Sequence, residues 1–292
     1  FASINISQSG PTGTLTEIRF RGSESNHILV LVDGVEINDI GQGGLVNFAH
    51  LLVSDIERIE LLRRPQSALW GSSAVSGVIS ITSKKAAISG QHKLSANVGL
   101  GTQATRQLGV SYKTRRNGLS LSANLHHLKT DGENVSRQGS EEEGYRNTSF
   151  NTNVAYQANR EHTLVFNLRL VDFVTDFDAI DFVNTGLPAD ADNYSKGKQL
   201  SALLRWDFTP SAGIWSQSLS YQLNRFASDS FSSDVFSGGT VGKTQRLNWI
   251  NYVDLGANDF INVGLDSVIE DFEQSGPIVF GDPNQTQDNQ TI

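Results

Sequence analysis

Beyond Gln91, apolar residues recur at every second position through most of the chain. Leu164, Phe166, Leu168 and Leu170 form the cleanest set, and Leu94, Ala96, Val98 and Leu100 form the first. Further sets lie within 108–112, 119–125, 150–156, 200–208, 215–223, 247–255 and 261–269. A period of two marks strands with one apolar face, so about nine strands are predicted. The positions between are mostly Ser, Asn, Arg and Gln, and aromatics gather toward the strand ends.

The connections also alternate. Short turns fall at 116–118, 159–161, 210–213 and 258–259, and long polar loops at 131–146, 173–197 and 227–243. Short turns on one side and long loops on the other are the habit of a transmembrane β-barrel. A soluble β-sandwich would not sort its loops this way, and it needs a dry interior face.

The first ninety or so residues read differently. An alternating LTEIRFR at 15–21 precedes the apolar run 28–32, which Asp33-Gly34 closes as a turn. A short strand at 35–38, a glycine-rich loop at 41–44, a short helix at 47–53 and a strand at 56–62 follow. Pro65 stops that strand; a helical turn at 67–70, a small-residue run at 71–77 and a strand at 78–82 complete the unit. At roughly ninety residues this α+β unit is near the lower limit for an independent core. Gly22, Gly34, Gly71 and Gly77 read as turn and close-packing positions.

Composition sharpens this picture. Apolar residues are 38% and charged residues 18%, with a remainder suited to strands having one wet face. No run approaches the length of a transmembrane helix, which leaves barrel strands open because they hide apolar residues at alternate positions. A net charge of −8 without a basic patch argues against nucleic acid. The absence of cysteine excludes disulfides, thiolate catalysis and thiolate-bound metal in this stretch. The chain begins at Phe1 in mid-pattern and has no Met, and nine is an odd number of strands, whereas single-chain bacterial barrels close with an even one and an open edge in lipid is prohibitive. A fragment is therefore expected.

Catalytic constellations are not found. GSSAVSG at 71–77 does not fit G-x-S-x-G. SGGTVGKT at 237–244 has Ser where a phosphate-binding loop needs its first Gly, and it does not precede a helix. His126 and His127 are adjacent on a strand, so they face opposite ways and cannot share a metal.

FRGSESNHILVLVDGVEIND at 20–39 and IERIELLRRPQSALWGSSAVSGVISITSKK at 56–85 carry a linked set of motifs. In order these are an Arg-Gly, a Leu-Val-Asp-Gly-Val, an Ile-Glu-Arg-Ile-Glu and a Pro-x-Ser-x-x-Trp-Gly. The pattern resembles the plug domain of TonB-dependent outer-membrane receptors, and the cobalamin (vitamin B12) receptors among them. It departs at Arg64, where that family usually has Gly.

The resemblance implies a plug domain at 1–85 and, at 91–292, the first part of an antiparallel transmembrane β-barrel of about twenty-two strands. It implies that Arg21 and Arg63 meet barrel carboxylates lying beyond Ile292, a task suited to the planar guanidinium. It also places substrate-contacting positions on Leu15, Glu17, Glu24, Gln42 and Gly43. Carboxylates at 17 and 24 depart from the smaller or neutral polar residues usual there, and Gln42 to Gly44 also reads as an ordinary loop.

The two longest loops are rich in acids. Crowded carboxylates repel unless a hard cation neutralises them, and calcium prefers such oxygen-rich loops. The resemblance implies calcium ligands at Asp131, Glu141, Glu143, Asp178 and Asp190 or Asp192. A solvated acidic surface is the plainer alternative.

The expected function is energy-coupled import across the bacterial outer membrane, with a TonB-type protein pulling on the plug. Cobalamin is the first ligand and a ferric siderophore the second; a passive barrel or a soluble sugar-binding sandwich are readings of other classes. Phe166→Arg on the lipid face should cost about 2–4 kcal/mol at mid-bilayer, and Asn167→Arg on the lumen face far less.

Overall fold

The computed structural model describes residues 4–63, 75–85, 90, 92–137, 139–211, 213–256, 259–277 and 284–291. Its first part is built on β3 (Ile28–Val32), whose sequence ILVLV is buried from Ile28 to Leu31. A continuous apolar run of this kind suits a strand covered on both faces. β3 pairs in parallel with β6 (Gly77–Ser83), and β6 pairs antiparallel with β5 (Ile56–Leu62). β4 (Val35–Glu36) folds back on β3 through Asp33-Gly34, whose φ angles of 51° and 86° give the primed turn that matches strand twist.

One face of this four-stranded sheet buries Phe20, Ile28, Val30, Ile37, Val46, Ile79 and Ile81; the other buries Leu29, Leu31 and Val78. A separate hairpin of β1 (Ile4–Gln8) and β2 (Thr16–Phe20) adds Ile4 and Ile18 to the first cluster. Asn38 stands in for a strand partner: its Oδ1 accepts from Val30 N, and its Nδ2 donates to the carbonyls of Ile28 and Gly44.

The helix expected at 47–53 is instead two single 3₁₀ turns, Phe48–His50 and Val53–Asp55. Asn47 caps the first by accepting from Ala49 N, and its Oδ1 also receives Thr16 N, which ties the turn to β2. The turn expected at 67–70, together with Pro65 and residues 71–74, lies outside the described residues.

The second part is one open antiparallel sheet whose ten strands pair in chain order. They are β7 (His92–Leu100), β8 (Arg106–Arg116), β9 (Leu119–Thr130), β10 (Tyr145–Gln157), β11 (His162–Asp176), β14 (Asn193–Phe208), β15 (Trp215–Ser232), β16 (Val235–Gly256), β17 (Asp259–Ser275) and β18 (Gln285–Thr291). A two-strand hairpin, β12 (Ala179–Ile180) and β13 (Pro188–Ala189), stands in the loop between β11 and β14.

This sheet is inverted relative to a soluble protein. Leu164 and Phe166 are 43% and 38% exposed, whereas the intervening Asn167 and Arg169 are each 7% exposed. The apolar face looks outward and the polar face is covered, as in a barrel that meets lipid. Among the described residues no helix is long and apolar enough to cross a membrane.

Two expectations about this sheet are corrected. Residues 227–243 are not a loop: β15 and β16 run on as a long hairpin turned at Ser233-Asp234, with φ of 47° and 62°. There is also a tenth strand, β18, with the wholly polar sequence QTQDNQT. Main-chain pairing holds both segments, and neither needs an apolar face, so hydrophobic periodicity does not register them.

Candidate functional site

Side chains on the covered face of the large sheet reach the first domain along much of its width. Nδ2 of Asn167 (β11) donates to the Asp33 carbonyl at 2.9 Å, and Nδ2 of Asn153 (β10) donates to Ser83 Oγ at 2.8 Å. Ser54 Oγ meets His126 (β9) at 3.1 Å, and Gln42 Nε2 lies 3.4 Å from Thr240 Oγ1 (β16). Contacts to β9, β10, β11 and β16 at once place the small domain within the curve of the sheet.

His50 is the centre of the tightest contact. Its ring stacks on Phe173 at 3.6 Å between centroids and lies 3.0 Å from Tyr145 Oη through Nδ1. Asn47 Nδ2 donates to Nε2, Tyr145 Oη donates to the Ala49 carbonyl, and Arg169 Nη2 donates to the carbonyl of His50 itself. Burial, reinforced by the Arg169 charge, pushes the imidazole down to about 3, so it is neutral at physiological pH.

Two glycines record how closely the surfaces meet. A Cβ on Gly13, which sits at φ +96°, would fall 2.2 Å from the Tyr145 ring. One on Gly242 of β16 would fall 2.8 Å from Gly41 N in the 3₁₀ turn Ile40–Gln42. Gly242 belongs to SGGTVGKT, so that run serves close packing against the apex of the small domain.

An ion pair also joins the two domains. Arg246 of β16 reaches Glu36 of β4 at 2.9 Å and Asp266 of β17 at 3.5 Å. The cation is on the wall and the carboxylate on the inner domain. Arg21 is exposed with a left-handed backbone, and Arg63 is exposed at the end of β5.

Between the apex and the wall lies a cavity of about 500 Å3, lined by Leu15, Asp39, Gln42, Val46, Phe173 and Phe226 among others. Leu15 and Gln42 are thus brought together there. Glu17 is turned away: it accepts from Ser25 Oγ and lies 3.3 Å from Arg19. Glu24 is exposed beside the turn Ser25–His27, and Gly43 is exposed at φ +66° with its carbonyl accepting from Asn26. Sequence reasoning missed Asp39, which is 5% exposed and pushed up to about 6 by burial against an opposing hydrogen bond from Gly41 N. It also missed His50, Phe173 and Phe226; the apolar-set reading ran along the opposite face of β11, so nothing singled out Phe173.

In the long loops, Glu141, Asp178 and Asp190 offer carboxylate oxygens that all lie within 4.8 Å of one another. Glu143 stands beside them, 2% exposed; burial and the neighbouring Asp178 push its carboxyl up to about 7. One oxygen of Glu143 accepts from Val135 N, while its Oε1 and the Oδ2 of Asp178 are buried with no partner among the described residues beyond the proton the two carboxyls can share. Glu141 is also raised, by burial and then by Asp192, Asp190, Asp178 and Asp176. Asp192 is therefore near the group, whereas Asp131 is exposed and sits 4.0 Å from Lys129. Orphaned buried oxygens in an all-carboxylate donor set fit a hard cation.

A wall that is apolar outside and wet inside, with a folded domain bonded to the wet side, defines a plugged transmembrane β-barrel. The chain belongs to the TonB-dependent receptors. Residues 1–78 match the TonB-dependent Receptor Plug Domain family. The Vitamin B12 transporter BtuB of Vibrio vulnificus (strain CMCP6) is 31% identical over 210 residues, which is 69% of this chain and 34% of that protein. The chain thus spans about a third of the length of this curated relative.

Among solved structures, the siderophore receptor PirA from Acinetobacter baumannii superposes with a TM-score of 0.71 at 18% identity, over 93% of this chain and 44% of that one. A mutant of the ferric enterobactin receptor PfeA from Pseudomonas aeruginosa gives 0.70 at 16%, over 99% of this chain and 49% of that one. These two likenesses speak for the fold. The family is one of receptors and transporters, not an enzyme class.

Proposed function

We propose that this chain is part of an energy-coupled importer of the bacterial outer membrane, with cobalamin as its cargo. Residues 1–85 act as the plug and 91–292 as wall. The observation that carries the reading is the plug's seat, where His50 is locked against Tyr145 and Phe173 below an apical cavity. A seat built from hydrogen bonds, stacking and the Arg246–Glu36 pair is non-covalent, so a mechanical pull can break it. Ligand at the apex shifts the plug only as far as it binds one plug state better than another. A TonB-type protein of the inner membrane supplies the pull, and Leu15, Gln42 and Asp39 face the ligand.

Cobalamin is favoured by the 31% identity to a vitamin B12 transporter. A ferric siderophore is the second reading, favoured by the fold shared with siderophore receptors. Calcium joins the loops through Glu141, Asp178 and Asp190, with Glu143 beside it and Asp192 and Asp131 farther out. Its charge would relieve the carboxylate repulsion and fix the loops over the apex.

Isothermal titration of the full-length receptor with cobalamin, with and without calcium, tests the assignment. Saturable binding that tightens with calcium is expected. Heat with a ferric siderophore and none with cobalamin in either condition removes the cargo assignment.

A further inference from the structure

The two rims of the apolar band differ chemically. At the short-turn rim the outward face carries aromatics: Tyr156, Trp206, Phe208, Trp215 and Trp249. Trp206, Phe208 and Trp215 follow one another at centroid spacings of 6.3 and 6.4 Å. Such a girdle fits an ordinary headgroup boundary.

At the long-loop rim the same face carries cations. In the ladder, Arg106 of β8 stands opposite Lys129 of β9, and Lys129 stands opposite Arg146 of β10. Arg146 faces Val174 of β11, which faces Lys196 of β14. One step toward the membrane, the row runs Leu108, His127, Thr148, Asp172 and Lys198. Across these five strands the two rows hold five cations and one carboxylate, on a chain whose net charge is −8.

Like charges directly opposite each other weaken a sheet. Arg106–Lys129 and Lys129–Arg146 are two such pairs in succession, and all five cations are exposed. Among the described residues no carboxylate lies within ion-pair distance of Arg106, Arg146 or Lys198, while Lys129 has Asp131 at 4.0 Å. Lys196 is held in place, with its Nζ 4.8 Å from the ring centres of both Tyr194 and Phe231. Lys129, Arg146, Lys196 and Tyr194 border a shallow depression of about 510 Å3, with Asp131, Asp176 and Glu142 on its loop side. An anion entering from the membrane side would meet the cations first and relieve their repulsion.

We propose that this belt binds the phosphate groups of lipid headgroups in the leaflet on the long-loop side. The proposal extends the membrane reading and is independent of which cargo is imported. Acyl chains would lie on the apolar rows below, beginning at Val110, Leu125, Phe150, Leu170 and Leu200, and each phosphate would sit among Lys129, Arg146 and Lys196. Screening by salt follows from the exposure of these charges.

The test uses full-length receptor, delipidated in detergent and titrated with bisphosphorylated lipid A, with the same lipid after phosphatase treatment, and with inorganic phosphate. Lipid A should bind in a salt-sensitive way, and the dephosphorylated form about tenfold or more weakly. The triple variant Lys129→Gln, Arg146→Gln, Lys196→Gln should lose binding by a similar factor while melting as the parent does. A double variant at the other rim, Arg116→Gln with Arg160→Gln, should bind as the parent does. Equal binding of both lipid forms, full binding by the triple variant, or displacement of the lipid by inorganic phosphate overturns the proposal. A receptor that refolds as a monomer without detergent overturns the membrane reading and the belt with it; a detergent-dependent barrel that ignores lipid phosphate overturns the belt alone.

Discussion

Nη1 of Arg246 on the wall lies 2.9 Å from Oε2 of Glu36 on the plug, with both side chains at least four-fifths covered. The pair fastens the tip of the β3–β4 hairpin to β16, more than two hundred residues along the chain. Removing either partner leaves the other charge poorly solvated. Arg246→Ala should therefore loosen the plug by about 1–3 kcal/mol, the range for leaving a buried hydrogen-bonding group unsatisfied. Glu36→Arg combined with Arg246→Glu should recover part of that loss. Urea-dependent channel opening in planar bilayers reads the effect, with the single variant opening at lower urea than the parent and the double variant between them.

His50 gives the seat a pH dependence. Its folded value of about 3 lies below the ordinary 6.5, so the unfolded state takes up a proton first as pH falls. The stability it contributes is complete above about 6.5 and is lost progressively toward 3. Melting curves of the parent and of His50→Gln across this window should differ in slope, with the variant flatter. Parallel curves would remove His50 from the account.

How far these features were legible in the sequence depends on what holds each of them. Alternation located the membrane-facing rows because lipid demands an apolar side chain at every second position, as at Leu164, Phe166 and Leu168. It was silent on β18 and on the upper half of the β15–β16 hairpin, where main-chain pairing continues without a regular apolar row. The seat was least legible. Asn153, Asn167, Arg169 and Tyr145 read as generic polar or interfacial residues until the plug is placed against them. The Arg246–Glu36 pair, with its cation on the wall, was not legible either, and it is separate from the contacts expected of Arg21 and Arg63 with carboxylates beyond Ile292.

The facing of β11 is testable at two adjacent residues. Phe166→Arg puts a charge into lipid and should cost about 2–4 kcal/mol. The neighbouring inward position is not open water, because Asn167 is covered and donates to the Asp33 carbonyl. Asn167→Ala should cost about 1 kcal/mol through that bond, and Asn167→Arg should unseat the plug while leaving the barrel folded. Refolding titrations into lipid vesicles separate the two, since Phe166→Arg lowers barrel stability and Asn167→Arg lowers plug protection from protease. Equal barrel destabilisation by both arginines would contradict the facing.

The loop carboxylates couple metal to protons. With Glu143 raised to about 7 from 4.5, the metal-free fold keeps a proton that the unfolded chain releases, so its stability falls as pH rises from about 4.5 to 7. Calcium must displace that proton. Titration of calcium near pH 6 in buffers of different ionisation enthalpy should show proton release, and affinity should rise with pH. Glu143→Gln should reduce the release, leaving the part due to Glu141, and weaken the metal. Buffer-independent heats would argue for an ordinary acidic surface.

The most direct measurement is disulfide trapping on both sides of the plug at once, in a stretch that contains no native cysteine. Gln42→Cys with Thr240→Cys joins the apex to β16, and Ser54→Cys with His126→Cys joins the opposite flank to β9. If the plug is seated within the curve of the wall, both crosslinks form in one molecule embedded in membrane, and ligand uptake stops until a reductant is added. If only one crosslink forms, or if both form and uptake continues, the plug is not the seated and movable stopper described here.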